Sequence, residues 1–492
     1  MKQRAPLTLA AVTAALAAVT GLAFLTAPAA TPAGGAGRAD AARRPVERSV
    51  LVCPEPSSSD IAETTYTSLT PGKGGGAGTA RLATREGKAV LEPREPGKPV
   101  SATASGAEAP GLTGAAEGAL APGWTAQQTT KVAVGHTRGL LGLSCTVPGT
   151  DFWFPGVSTA KGRQDYIHLT NPDDTVAEVD IKLYGPDGLV KDKPGAVAAV
   201  FRVDARSTAK VSLSTLFPDS RLTDVTAHVT TGSGRVGASA QAAEDGVGTD
   251  WLPASAGPAD TLVLPGIPAD ATSVRLVAFA PGEDDADLTV RLSGPGGRLT
   301  PAGKERLHVK AGMTAGLDLG DVTRGEAGSL LLAPADPGKA VPVVAALRVV
   351  RGTAPKQELG FVPASAPVGE RATVADNRAD DKATALTLTA SGADATVRVT
   401  ASAGTEGGQP AVQEITVKAG TTRAVVPAPA PSGGKGPYAL TIETLSGGPV
   451  HAARTLTLPH DGIPMFTVQA FTDDRSTVSV PRAVEDPSIL LR

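Results

Sequence analysis

Asp180-Ile181-Lys182-Leu183-Tyr184-Gly185-Pro186-Asp187-Gly188 carries the clearest structural signal in the chain. Its first five residues alternate polar and apolar, the period-2 pattern of a half-buried strand, and they run into a glycine-proline-aspartate turn of hairpin chemistry. The same order recurs as Asp287-Leu288-Thr289-Val290-Arg291-Leu292 before Ser293-Gly294-Pro295-Gly296-Gly297, and as Thr384-Ala385-Leu386-Thr387-Leu388 before Ser391-Gly392-Ala393-Asp394. Upstream of it, Asp151-Phe152-Trp153-Phe154-Pro155-Gly156 is echoed by Asp260-Thr261-Leu262-Val263-Leu264-Pro265-Gly266 and, more faintly, by Leu359-Gly360-Phe361-Val362-Pro363. Downstream, Val203-Asp204-Ala205-Arg206-Ser207 matches Val309-Lys310-Ala311-Gly312-Met313 and Val417-Lys418-Ala419-Gly420-Thr421. Three features in one order predict tandem modules of roughly 100 residues, the size and strand density of an immunoglobulin-like β-sandwich.

The chain therefore reads as all-β, with tandem immunoglobulin-like β-sandwich modules after an N-terminal signal or anchor segment. Residues 1–30 are a signal peptide or membrane anchor and residues 31–45 a flexible tether. Residues 46–148 form a degenerate first β-module, in which Pro71-Gly72-Lys73-Gly74-Gly75-Gly76 and the Ala-, Gly- and Pro-rich run from Pro93 to Gly123 are expected as loop or disorder. Residues 149–255, 256–355 and 356–459 are three β-sandwich modules, and 460–492 supply C-terminal strands that complete a module.

Composition supports many small cores over one large one. The 492 residues include 57 Gly and 41 Pro but only 9 Phe, 3 Trp and 4 Tyr, while 41% hydrophobic residues is too many for a wholly disordered chain. Lys and Arg number 46 against 49 Asp and Glu, with no long run of either sign, so no nucleic-acid partner is expected.

Lys2 and Arg4 precede an uncharged stretch from Leu7 to Leu25, followed by Ala27-Pro28-Ala29, a small-x-small cleavage site. The stretch is long for a signal core and close to the roughly 20 residues that span a bilayer, so cleaved signal and retained anchor both fit. Either places the bulk of the chain outside the cytoplasm, with membrane contact only through this segment. Cys53 and Cys145 are then the only thiols of an exported protein and predict a disulfide closing a loop of about 90 residues, worth roughly 4–5 kcal/mol in the chain-entropy model.

No catalytic constellation, cofactor motif or metal site is legible. The six histidines stand at no metal-ligand spacing, and His168 and His228 read as structural residues of strands. Gly232, Gly234 and Gly237 have dinucleotide-loop spacing, but they join two strands, where the phosphate fingerprint needs a strand and a helix; a glycine hairpin is expected. The acidic turns Asn171-Pro172-Asp173-Asp174, Glu283-Asp284-Asp285 and Asp380-Asp381 read as solvated hairpin turns, with extracellular Ca²⁺ as the sharper alternative. Phe152, Trp153 and Tyr166 concentrate aromatic residues and form a candidate sugar-stacking patch; a buried core anchor is the competing reading, and Trp251 suits an interface plug.

Arg44-Pro45-Val46-Glu47-Arg48-Ser49 with Val52-Cys53-Pro54, Thr64-Thr65-Tyr66-Thr67, Asp151-Phe152-Trp153-Phe154-Pro155-Gly156, Leu169-Thr170-Asn171-Pro172 and Tyr184-Gly185-Pro186-Asp187-Gly188 together resemble an uncharacterised family of exported actinobacterial envelope proteins. The resemblance implies a secreted or N-terminally anchored protein and, through glycosyltransferase-like gene neighbours, a link to envelope polysaccharide assembly; it brings no catalytic residues. The expected function is a non-enzymatic cell-envelope scaffold whose partner is an envelope protein or glycan, with a glycan-binding protein as the alternative.

Overall fold

The computed structural model describes residues 42–72, 76–190, 200–218, 221–380 and 382–480. Residues 1–30, the expected signal or anchor, lie outside them. The described chain is nearly all β and divides into two units. The described part of the smaller unit, residues 42–44 and 477–480, belongs to a two-stranded ribbon of Ala42–Pro45 with Thr477–Val480, in which Arg43 Nη2 donates to Thr477 Oγ1 at 3.1 Å. The end of the expected tether is thus strand, and Thr477–Val480 pairs with it, outside the sandwiches.

The larger unit, Pro45–Ser476, holds four β-sandwiches. Their first strands are Arg48–Cys53, Asp151–Val157, Leu262–Ile267 and Arg371–Asn377; their last are Gly139–Ser144, Gly248–Leu252, Lys356–Pro363 and Phe466–Phe471. Each sandwich shares the same pair of four-stranded antiparallel sheets, and in the second and third sandwiches one sheet gains a fifth strand, Val200–Val203 or Arg306–Val309. In the first, one sheet runs Arg48–Cys53, Leu112–Gly118, Gly78–Ala83, Ala89–Leu91, and the other Val100–Ser105, Glu63–Leu69, Thr125–Val132, Gly139–Ser144. The inner pairings, second strand with fifth and third with sixth, are those of an immunoglobulin sandwich, but here the first strand lies on the sixth.

Alternation in sequence becomes alternation in burial. Ala177, Val179, Ile181 and Leu183 point into the second core, while Glu178, Asp180 and Lys182 do not. The cores are mainly Val, Leu, Ile and Ala, and the few aromatics are spread among them, such as Phe154 in the second and Tyr438 and Phe471 in the fourth.

Three expectations are corrected. The run from Pro93 to Gly123 contains two strands, Val100–Ser105 and Leu112–Gly118, so the first sandwich is complete. Its small residues resemble linker composition, yet sheet packing demands them: a Cβ on Gly114 would lie 1.8 Å from the Arg81 carbonyl oxygen. Leu359-Gly360-Phe361-Val362-Pro363 belongs to the last strand of the third sandwich, hydrogen-bonded to Val344–Thr353, so the boundary expected at 355/356 falls inside a hairpin. Ser391-Gly392-Ala393-Asp394 likewise joins the second and third strands of its sandwich. An apolar strand ending in proline, or a glycine turn, carries no mark of its ordinal position. Finally, Gly232 to Gly237 is an arch between two sheets, because Val225–Ser233 and Gly237–Glu244 belong to different ones. A Cβ on Gly237 would lie 1.9 Å from Val52 of the first sandwich.

The sandwiches close into a cycle. Each last strand packs against the last strand of the next sandwich, and Phe466–Phe471 of the fourth returns to Gly139–Ser144 of the first. Around them, each first strand contacts the penultimate strand of the next sandwich, again including fourth to first.

Candidate functional site

The four last strands bring polar residues to the centre of this cycle. Glycine lets them approach: a Cβ on Gly142 would lie 2.4 Å from Gln469 Nε2 and 2.5 Å from Thr467 Cγ2. Asp250 from the second sandwich is buried there, accepting from Gly142 N–H at 3.2 Å and from the Thr467 hydroxyl at 3.1 Å. Burial holds its carboxyl well above the ordinary value, against the pull of those donors and of Arg454. Glu358 from the third sandwich is also buried, and loss of solvent pushes it up to about 9 although Arg138 draws it down. Arg138 ties the rim of the centre together, donating to the Val247 carbonyl and to that of Gln357 at 2.6 Å.

Beside this centre lies Arg454, on the penultimate strand of the fourth sandwich and fully buried. None of its three guanidinium nitrogens has a hydrogen-bond partner among the described residues. Burial lowers its pKa to about 10; Asp376, Tyr438 and Asp250 act in the opposite sense and Arg378 with it. Asp376 Oδ1 accepts from Thr67 Oγ1 of the first sandwich at 2.9 Å and from Arg378, whereas Asp376 Oδ2 has no partner among the described residues. Gln127, in register with Thr67, and Gln469 Oε1 are likewise unpartnered there. Buried polar groups left this way cost about 1–3 kcal/mol each, so the centre is held by packing around it and does not hold itself.

Three joints between sandwiches have an aromatic seal beside their polar contacts, such as the Arg348–Glu244 pair. Trp251 seals the first to the second with Ala62, Val132, Leu141 and Leu143. Trp153, Phe279 and Val344 seal the second to the third. Phe466, Val468 and Ala453 of the fourth join the core of the third. Among the described residues the fourth-to-first joint has two small apolar groups, Leu69 with Ala375 and Ala439, and Leu140 with Leu456 and Met465.

An open cleft of about 720 Å³ lies between the first and second sandwiches. Small residues of the first sandwich, among them Ala83, Thr113 and Ala115, line it together with Arg48, Arg85, Arg206 and Arg235 and with Glu86, Glu108, Asp173 and Asp174. Arg235 makes a two-pronged pair with Asp173, at 2.8 and 3.0 Å, and Arg206 pairs with Asp174. The cleft therefore offers planar hydrogen-bonding groups of both signs.

Of the residues singled out in sequence, Cys53 and Cys145 form a disulfide across 92 positions. Trp153 is buried, its ring stacked on His228 at 3.5 Å and on Phe279 at 5.4 Å, so its faces are covered. Phe152 is half-buried against the second core. Tyr166 stands in the opposite sheet, under Lys210 at 4.3 Å, and is not brought to Trp153. His168 is buried edge-on to Trp251, and burial first, then Lys210, lowers it to about 3. Two of the acidic turns brace neighbouring segments: Asp285 Oδ1 accepts from Ala311 N–H at 2.9 Å, and Asp173 and Asp174 pair with Arg235 and Arg206. Asp381 lies outside the described residues, among which no metal-binding cluster is found.

Arg454, Asp376, Asp250 and Glu358 were missed. A charged residue inside an otherwise apolar strand, as in Val450-His451-Ala452-Ala453-Arg454, was the available signal.

The chain belongs to DUF5719, a family of unknown function, whose model matches residues 100–428. That match starts inside the first sandwich and ends inside the fourth. No curated protein matches the chain.

Proposed function

We propose that the protein is a non-enzymatic, extracytoplasmic scaffold of the cell envelope, exported and held or released by its N-terminal segment, which presents a binding face to an envelope protein or glycan. The observation that carries this reading is the cyclic closure of four sandwiches through their last strands. Closure converts a string of modules into one body with fixed spacing between its loops, as a scaffold requires. The Cys53–Cys145 bridge supports an oxidising compartment. Cell fractionation followed by crosslinking and pull-down from the envelope tests it: the expected result is membrane- or wall-associated protein crosslinked to one reproducible partner. Recovery from the cytoplasm, or turnover of an envelope polymer abolished by one side-chain change, would overturn it.

A second reading, glycan binding, is favoured by the polar cleft between the first and second sandwiches, and it moves the site away from Trp153. Arg206→Ala and Arg85→Ala should each weaken binding of envelope polysaccharide by calorimetry. Unchanged affinity in both variants excludes this cleft.

A further inference from the structure

We propose that the cycle of sandwiches opens at one place, between the fourth and the first, and that this joint is a clasp while the other three are permanent.

Connectivity comes first. The first three joints are backed by short covalent links: residues 145–150, 253–261 and 364–370 join consecutive sandwiches. The fourth joint has no such link; the chain meets itself there through contacts made after more than three hundred residues, such as Thr67 with Asp376. Separating any linked pair leaves the partners tethered at short range, which favours reclosure, whereas the fourth-to-first joint lacks that local tether.

Composition points the same way. Each linked joint buries large apolar side chains, Trp251, Trp153 with Phe279, or Phe466, whose exposure to water is expensive. The linked joints also carry polar groups, such as Glu358 and the Arg348–Glu244 and Arg275–Asp224 pairs, but beside an aromatic seal; the apolar clusters of the fourth-to-first joint contain no aromatic side chain, and Thr67, Gln127, Asp376 and Gln469 are buried there, several with unpartnered polar atoms. Opening gives those atoms water, so their desolvation penalty is recovered and offsets the loss of the small apolar contacts. The remaining ties are of the same polar kind: Arg371 donates to the Pro122 carbonyl at 3.3 Å, and Val46 N–H to the Ser476 carbonyl at 2.9 Å.

The first sandwich is suited to moving as one piece. Cys53 ends its first strand and Cys145 follows its last, so the disulfide holds both of its edges while the contact with the fourth is released.

Thiol labelling under native conditions tests the clasp in the full chain with its disulfide intact. Ala375→Cys and Ala439→Cys report the fourth-to-first joint; Ala62→Cys, Ala346→Cys and Ala453→Cys report the first-to-second, second-to-third and third-to-fourth joints. All five alanines are almost completely buried. Alkylation at Ala375→Cys and Ala439→Cys should run roughly ten-fold or more faster than at the other three, as for a local opening below the global unfolding free energy. Two clasp positions guard against a single variant that folds poorly. Equal rates at all five positions, or faster labelling at Ala62→Cys, Ala346→Cys or Ala453→Cys, would overturn the proposal.

Discussion

Asp376 sits in the left-handed region, at φ 62°, and accepts a hydrogen bond from Thr67 2.9 Å away, across the joint between the last sandwich and the first. The equivalent bulge positions of the second and third sandwiches are Gly156 and Gly266, at φ 100° and 93°. The fourth sandwich thus accepts a strained side chain where its neighbours have none, and uses the carboxylate to reach the first.

Replacing Asp376 separates its backbone role from its side-chain role. Both Asp376→Gly and Asp376→Ala lose the bonds to Thr67 and Arg378, but only alanine keeps a Cβ in the left-handed region. In urea denaturation Asp376→Ala should be less stable than Asp376→Gly by about 1 kcal/mol. Equal midpoints would show that the bulge carries no strain.

At Gly142 the last strand of the first sandwich lies close against that of the fourth. Gly142→Ala forces its Cβ against Gln469 and Thr467, and the expected cost is about 1–3 kcal/mol of stability, read by thermal or urea unfolding. A variant as stable as the parent would mean that the centre is loosely packed.

Two buried groups give opposite pH dependences. Glu358 keeps its proton up to about pH 9 in the fold, against an ordinary 4.5, so its contribution is full below pH 4.5 and is lost as the pH rises toward 9. Glu358→Gln should therefore gain melting temperature over the parent progressively from pH 5 to 9. His168, held neutral down to about pH 3 against an ordinary 6.5, contributes fully above pH 6.5 and loses that contribution as the pH falls toward 3. His168→Gln should flatten the acid limb of the stability profile. Parallel profiles for parent and variant would contradict either assignment.

The disulfide is the staple of the first sandwich. Cys53→Ser with Cys145→Ser, or reduction of the parent, should cost about 2–5 kcal/mol, measured as a lower unfolding midpoint. An unchanged midpoint would mean that packing of Leu51, Tyr66 and Leu82 already holds that core.

Legibility followed the range of the interaction. The strand at Asp180–Tyr184, the turn behind it and the Cys53–Cys145 pair were readable, because alternation and a pair of cysteines are visible without knowing what packs where. The strands Val100–Ser105 and Leu112–Gly118 were not, since Ala, Ser, Thr and Gly look alike in a linker and in a closely packed sheet. Trp153 was visible as an aromatic residue, but whether its face is open depends on His228 and Phe279, which lie far from it along the chain.

The β class, the module size and the covalent staple are written in local periodicity or in residue identity. That four sandwiches close on themselves, that Arg454 is enclosed without a partner among the described residues, and that the fourth joint lacks an aromatic seal emerge only in three dimensions. Closure is made by strands such as Gly139–Ser144 and Phe466–Phe471, and no local pattern encodes their meeting.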